Sequence, residues 1–202
     1  LAWHLGMQVT DGPGVIELSL STYIQEVIER FGLTEAYTSR CCVPMDSAKF
    51  KQNPLSKKDM PKTAEEKLDP ERCPYRALLG CLSYISLWGR PDICTAISIL
   101  ARFQDNPGKR HWEALKHVAV YLKRNPDYCI RYQQDAPKHN TLTGHVDADF
   151  ANSDPDEMRS RTGYVFFANG GPVVWRSTLQ SLTAQSSCES EMIALNAAAK
   201  EA

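Results

Sequence analysis

The chain has 202 residues, 43% of them apolar and 23% charged, with 23 Lys and Arg against 24 Asp and Glu. These values exclude wholesale disorder, and no window approaches the 18 or so apolar residues of a membrane-crossing helix. A net charge of −1 argues against a protein that binds nucleic acid over its whole surface and leaves local basic patches open.

The chain opens on Leu1-Ala2-Trp3-His4-Leu5, without a Met start or a basic leader, and stops at Ala202 within a helical pattern. It therefore reads as a segment of something longer. Residues 5–20 predict two short strands around the turn Asp11-Gly12-Pro13-Gly14. A helix is expected from Thr22 to Phe31, with Thr22 and Gln25 as a capping box and Gly32 as a left-handed terminator. The lysine-rich stretch from Thr38 to Pro74 holds Pro44, Pro54, Pro61, Pro70 and Pro74 and little periodicity; it reads as a long ordered loop or a linker.

Three helices come next. Tyr75, Leu78, Leu79, Leu82 and Ile85 share one face, and that helix ends before Gly89. A second begins at Pro91 or Asp92, with Ile93, Ala96, Ile97 and Leu100 on one side. After the break at Asn106-Pro107-Gly108, a third runs to Arg124 and buries Trp112, Leu115, Val118, Ala119 and Leu122. From Asp127 the pattern turns to strands: Cys129 to Tyr132, Leu142 to Val146, Gly163 to Ala168 and Val173 to Trp175. The last two are joined by an Asn169-Gly170-Gly171 hairpin. A final helix spans Ser187 to Glu201, with Met192, Leu195 and Ala199 in line. The seven cysteines form no C-x-x-C pair, which disfavours structural zinc and suits a reducing, intracellular compartment.

Charge is unevenly distributed. Seven Lys and Arg face three acids between Arg102 and Arg131, whereas five acids and no base lie between Asp147 and Glu157. The basic helix, through Lys109, Arg110, Lys116, Lys123 and Arg124, suits a phosphate backbone; a solvated amphipathic helix is the alternative. Asp147 is expected at the end of a strand, with Asp149 two residues on. Carboxylates so placed can hold hard divalent cations for phosphodiester hydrolysis, while a surface turn would need none. Glu189 and Glu191 lie in the first turn of the last helix, where the macrodipole favours acids and capping alone would account for them. A helix packed across the sheet would bring Asp147 and Glu191 together.

The order of motifs resembles the C-terminal part of the Pol polyprotein of copia-type LTR retrotransposons over essentially the whole chain. The matching stretches include Leu5-Gly6-Met7-Gln8-Val9, Arg30-Phe31-Gly32, Gly80-Cys81-Leu82, Arg90-Pro91-Asp92-Ile93, His111-Trp112, Tyr121-Leu122, Asp147-Ala148-Asp149, Thr162-Gly163-Tyr164, Trp175-Arg176-Ser177 and Glu191 with Ala194-Leu195. The resemblance implies an α+β chain: a helical thumb- or connection-like region from reverse transcriptase over 1–135, then a truncated ribonuclease H-like sheet with one helix over 136–202. It implies Asp147 and Glu191 as two catalytic carboxylates and Mg²⁺ ligands, with Asp149 and Glu189 outside the metal centre. The implied partners are an RNA–DNA hybrid or template–primer and the rest of the polyprotein, in a cytoplasmic particle or the nucleus, with no membrane. No Asp-Asp pair occurs, so the polymerase centre is expected before Leu1, and two further nuclease carboxylates are expected beyond Ala202. The strand holding Asp147 is then expected to show an unpaired edge. A non-catalytic remnant or an interaction module on the same fold is the competing reading.

Overall fold

A computed structural model describes residues 2–33, 42–45, 53–136, 140–151, 156 and 158–202. The fold is α+β, with five helices and two antiparallel sheets among the described residues. The chain divides into two compact units, Leu1–Gln8 with Ser19–Cys129, and Val9–Leu18 with Ile130–Ala202.

The first unit is helical. Strand β1 (Trp3–His4) pairs with the start of β2 (Met7–Gly12) across a tight turn at Leu5 and Gly6. Helix α1 (Ser21–Arg30) begins one residue before the sequence suggests. Leu20, not Thr22, is its N-cap, and no side chain caps it, so the expected capping box is absent. Gly32 does take the left-handed conformation, at φ +62°. Helix α2 (Tyr75–Trp88) buries the expected face of Tyr75, Leu78, Leu79, Leu82 and Ile85. A 3-10 turn over Pro91–Ile93 leads into α3 (Cys94–Ala101). Helix α4 (Lys109–Arg124) packs against α1, α2 and α3 and buries His111, Trp112, Leu115 and the run Val118 to Leu122.

Residues 38–41 and 46–52 of the Pro-rich stretch lie outside the described residues. Over 53–74 the chain is an ordered loop. Leu55 and Ser56 are buried, Ser56 and Asp59 bond reciprocally around a 3-10 turn, and Arg110 of α4 reaches Asp59.

The second unit carries the sheets. The end of β2 and β3 (Val15–Ser19) form a hairpin, and β3 pairs antiparallel with β4 (Ile130–Gln133), Ile16 opposite Tyr132. Arg131 Nε donates to Glu17 across this pair at 2.7 Å. The other sheet has the order β5-β6-β7, made of β5 (Thr143–Asp149), β6 (Arg161–Ala168) and β7 (Gly171–Leu179). Asn169 and Gly170, both at positive φ, close β6 onto β7 as a two-residue hairpin whose twist matches that of the strands. Helix α5 (Ser187–Ala199) packs on β5 and β6. Its core is Tyr164, Phe166 and Ala198, with Val146 and Val174 against them.

The face of α5 that enters this core differs from the one the apolar pattern suggests. Ser190, Ala194 and Ala198 are buried, whereas Met192 is 61% and Leu195 54% exposed. Two aromatic rings already fill the space between sheet and helix, so only small side chains fit on the helical side.

Candidate functional site

Asp147 lies within β5 rather than beyond its end. The strand continues to Asp149, and Asp147 stands opposite Gly163 of β6. Val146 is opposite Tyr164 and belongs to the core under α5. Successive side chains alternate between faces of a strand. His145, Asp147 and Asp149 therefore project from the other face, and all three are exposed. Among the described residues β5 pairs with β6 alone, so the strand bearing Asp147 is an edge strand, as expected.

Glu191 is exposed and is the fifth residue of α5, one position beyond buried Ser190; only Glu189 of the two glutamates lies in the first turn. The structure thus packs the strand of Asp147 against the helix of Glu191, but α5 covers the Val146 face and Asp147 projects from the other, so the packing does not by itself bring the two carboxylates together. It also separates the roles of the two glutamates. Glu189 is committed to the helix end: its N–H donates to Ser186 Oγ at 3.1 Å and its carboxylate accepts from the Gln185 N–H at 2.7 Å. That reciprocal arrangement is a capping device, and Glu191 takes no part in it. Asp154 and Glu157 of the acidic stretch lie outside the described residues.

Beneath the start of α5, a polar knot joins the helix to the sheet. Buried Gln180 donates through Nε2 to Thr162 Oγ1 at 3.1 Å and to the Ser190 carbonyl at 2.9 Å, and its own N–H donates to the Ser160 carbonyl. These bonds hold the first turn of α5, and with it Glu191, at one end of β6. The sequence contains the participants, but nothing in their spacing shows that they meet.

The basic helix is divided in its commitments. Arg110 bonds Asp59 and the Asn53 carbonyl, and Lys116 pairs with Glu113 at 2.8 Å above the Trp112 ring. Lys109, Lys123 and Arg124 are exposed. His111, fully buried, is a structural residue. It stacks on Phe103 at 4.0 Å, and its Nδ1 accepts the Gly108 N–H at 2.9 Å.

Arg90 shows the sharpest difference between sequence and structure. It is 1% exposed and grips Asp92 with two nitrogens, Nε to Oδ1 at 3.0 Å and Nη2 to Oδ2 at 2.8 Å. Its Nη1 donates to the Asn125 carbonyl at 2.8 Å, and Tyr121 donates to Asp92 Oδ2 at 2.8 Å. The guanidinium also lies over the Tyr121 and Tyr128 rings. Burial, then the bond to Asp92, push the Tyr121 hydroxyl up to about 12. The motif Arg90-Pro91-Asp92-Ile93 is thus a clasp joining the end of α2 to the end of α4.

Comparison with known proteins agrees with this order of motifs. The chain is 39% identical over 184 residues, 91% of its length, to the retrovirus-related Pol polyprotein from transposon TNT 1-94 of Nicotiana tabacum. It belongs to the copia-type Pol polyprotein family. A second Pol relative, from transposon RE1 of Arabidopsis thaliana, is 31% identical over 95% of the chain. The chain spans 13% and 12% of the lengths of these two polyproteins. A protein of Plasmopara viticola named secreted RxLR effector protein 161 is 39% identical over 64% of the chain and is covered over 89% of its own length. No family model and no solved structure matches. Among the described residues of this Pol-family chain, no helix is long and apolar enough to cross a membrane.

Proposed function

We propose that the chain joins the C-terminal part of a reverse transcriptase, over 1–135, to the first part of a ribonuclease H-like domain, over 136–202. In the parent polyprotein these regions would serve RNA-directed DNA synthesis and hydrolysis of the RNA strand of RNA–DNA hybrids. The observation that carries this reading is the 39% identity to a Pol polyprotein across 91% of the chain. The packing of the strand of Asp147 against the helix of Glu191 supports it.

Mg²⁺ takes hard oxygen ligands in octahedral geometry, and two exposed carboxylates suit it by donor type. Among the described residues, however, no three His, Cys, Asp or Glu side chains converge as ligands, and the register turns Asp147 to the face opposite Val146. The set is incomplete for a cation, and no reaction step is derived through one. Asp147 and Glu191 are proposed as two of the ligands in the longer polyprotein, and the 202-residue chain is expected to be inactive. The test measures RNA release from an RNA–DNA hybrid in Mg²⁺. A longer Pol protein should cleave and lose at least a hundredfold in rate on Asp147→Asn, whereas the 202-residue chain should not cleave. Cleavage by the short chain, lost on Asp147→Asn, would overturn the reading.

A non-catalytic interaction module is the second reading. It is favoured by the Plasmopara viticola relative, which is covered by this chain over 89% of its length and so consists almost wholly of this kind of sequence. An inactive longer Pol protein would favour it.

A further inference from the structure

Resting on the reading above, we propose that Gln180 is a positioning residue for Glu191: it fixes the turn of α5 that carries this carboxylate against the part of the sheet that carries Asp147. Gln180 follows Leu179, the last residue of β7, and is 3% exposed. An amide nitrogen has two hydrogens to donate, and here they go to two different elements, Thr162 of β6 and Ser190 of α5. Both acceptors adjoin a candidate site residue. The Ser190 carbonyl belongs to the peptide that joins Ser190 to Glu191, while Thr162 stands opposite Ala148 and next to Gly163, the partner of Asp147 across the ladder. One buried side chain thus bridges the backbone positions beside both carboxylates. Its own stem is held as well: Leu179 pairs with Arg161, and the Gln180 N–H donates to the Ser160 carbonyl at 2.9 Å.

Stability alone does not account for an amide here. Gln180 Oε1 is buried with no hydrogen-bond partner among the described residues, and an unsatisfied buried acceptor costs free energy that an apolar side chain of the same length would avoid. Helix α5 is also secured without it. Ser186 caps the Glu189 N–H, Ser190 Oγ donates to the Ser187 carbonyl at 2.7 Å, and Ala198 packs against Tyr164 and Phe166. What Gln180 adds is placement. Ser190 and Ala194, the buried residues at this end of the helix, are small and interlock weakly with the sheet, whereas two directed bonds from one planar group admit a single seat for the Ser190–Glu191 peptide over β6. An amide retained at some cost in stability is expected where geometry matters to function.

The test uses Gln180→Met, similar in length and without donors. In the 202-residue chain, amide exchange followed by mass spectrometry should accelerate about tenfold over residues 187–193 and stay at the parent rate over residues 75–88, with the melting temperature within about 2 °C of the parent. In a longer Pol protein cleaving an RNA–DNA hybrid in Mg²⁺, kcat should fall about tenfold or more while KM for the hybrid changes less than about twofold, because the displaced group acts on the reaction and not on binding of the duplex. Thr162→Val, which cuts only the sheet end of the bridge, should lower kcat in the same sense by less, and it carries the test if circular dichroism shows that Gln180→Met fails to fold. An unchanged kcat in Gln180→Met, a loss confined to KM, or exchange that accelerates evenly through the chain with a lowered melting temperature would overturn the proposal; if the parent still cleaves, the functional reading stands. A parent that does not cleave overturns the functional reading first, and this proposal falls with it.

Discussion

Removing the carboxylate of Asp92 is the most informative perturbation of the fold. Asp92→Ala leaves the Arg90 guanidinium buried, its side chain 2% accessible, with only the Asn125 carbonyl and two ring faces as partners. It also deprives the Tyr121 hydroxyl of its acceptor. Breaking a buried ion pair by deleting one partner costs about 3–5 kcal/mol. The Asp92 side chain is 28% accessible, which places the expected loss near the lower end, about 3 kcal/mol. Arg90→Met removes the charge that is expensive to bury and leaves a carboxylate that water can reach, so it should cost less, about 1–2 kcal/mol. The double variant R90M/D92A should then be more stable than the sum of the two single losses by at least about 1 kcal/mol. Urea unfolding followed by tryptophan fluorescence reports on this unit, which holds Trp3, Trp88 and Trp112. With an m-value of about 1–3 kcal/mol per molar, D92A should lower the midpoint by about 1–3 M. If D92A shifts stability by less than about 0.5 kcal/mol, or if the losses simply add, the clasp does not hold α2 to α4.

Gly108→Ala should destabilise the first unit by about 2 kcal/mol or more in the same unfolding experiment, because the added Cβ would lie 1.9 Å from the backbone carbonyl oxygen of Asp59 and main chain must move. Stability should fall with rising pH between about 10 and 12. Tyr121 holds its proton more tightly in the folded state, through burial and the bond to Asp92, so its contribution is full below pH 10 and is lost toward pH 12; Tyr121→Phe should flatten that part of the thermal-melt profile. Lys123→Ala with Arg124→Ala should weaken binding of an RNA–DNA hybrid without regard to sequence and lower the slope of log K against log salt by about 1–2, and an unchanged slope would remove α4 from the nucleic-acid reading.

Much of the local architecture is legible along the chain. The 3.6-residue spacing of Tyr75, Leu78, Leu82 and Ile85, the break at Asn106-Pro107-Gly108 and the Asn169-Gly170 turn each have a local physical cause, and α2, α4 and the β6–β7 hairpin follow within a few residues. Strand ends are less legible. Nothing in Asp147-Ala148-Asp149 says that β6 pairs with all three, so the strand end expected at Val146 lies at Asp149. Of the candidate site, residue types are visible in sequence, whereas the direction each one points is set by register and packing.

What the sequence determined by itself is therefore the class of chain, the order of helices and strands, and the motif order that marks a Pol relative. The order of helices and strands rests on interactions between residues a few positions apart, and the Pol reading on the resemblance of the motif order. Only the tertiary structure decided that β3 pairs with β4 across more than one hundred intervening residues. It also decided that α5 buries its alanines and exposes Met192 and Leu195, because Tyr164 and Phe166 leave room for nothing larger. It made Arg90, at 1% exposure, the most deeply buried Lys, Arg, Asp or Glu among the described residues of the first unit. Such outcomes depend on which surfaces meet after long loops close, and the free energy of that meeting is carried by no single segment.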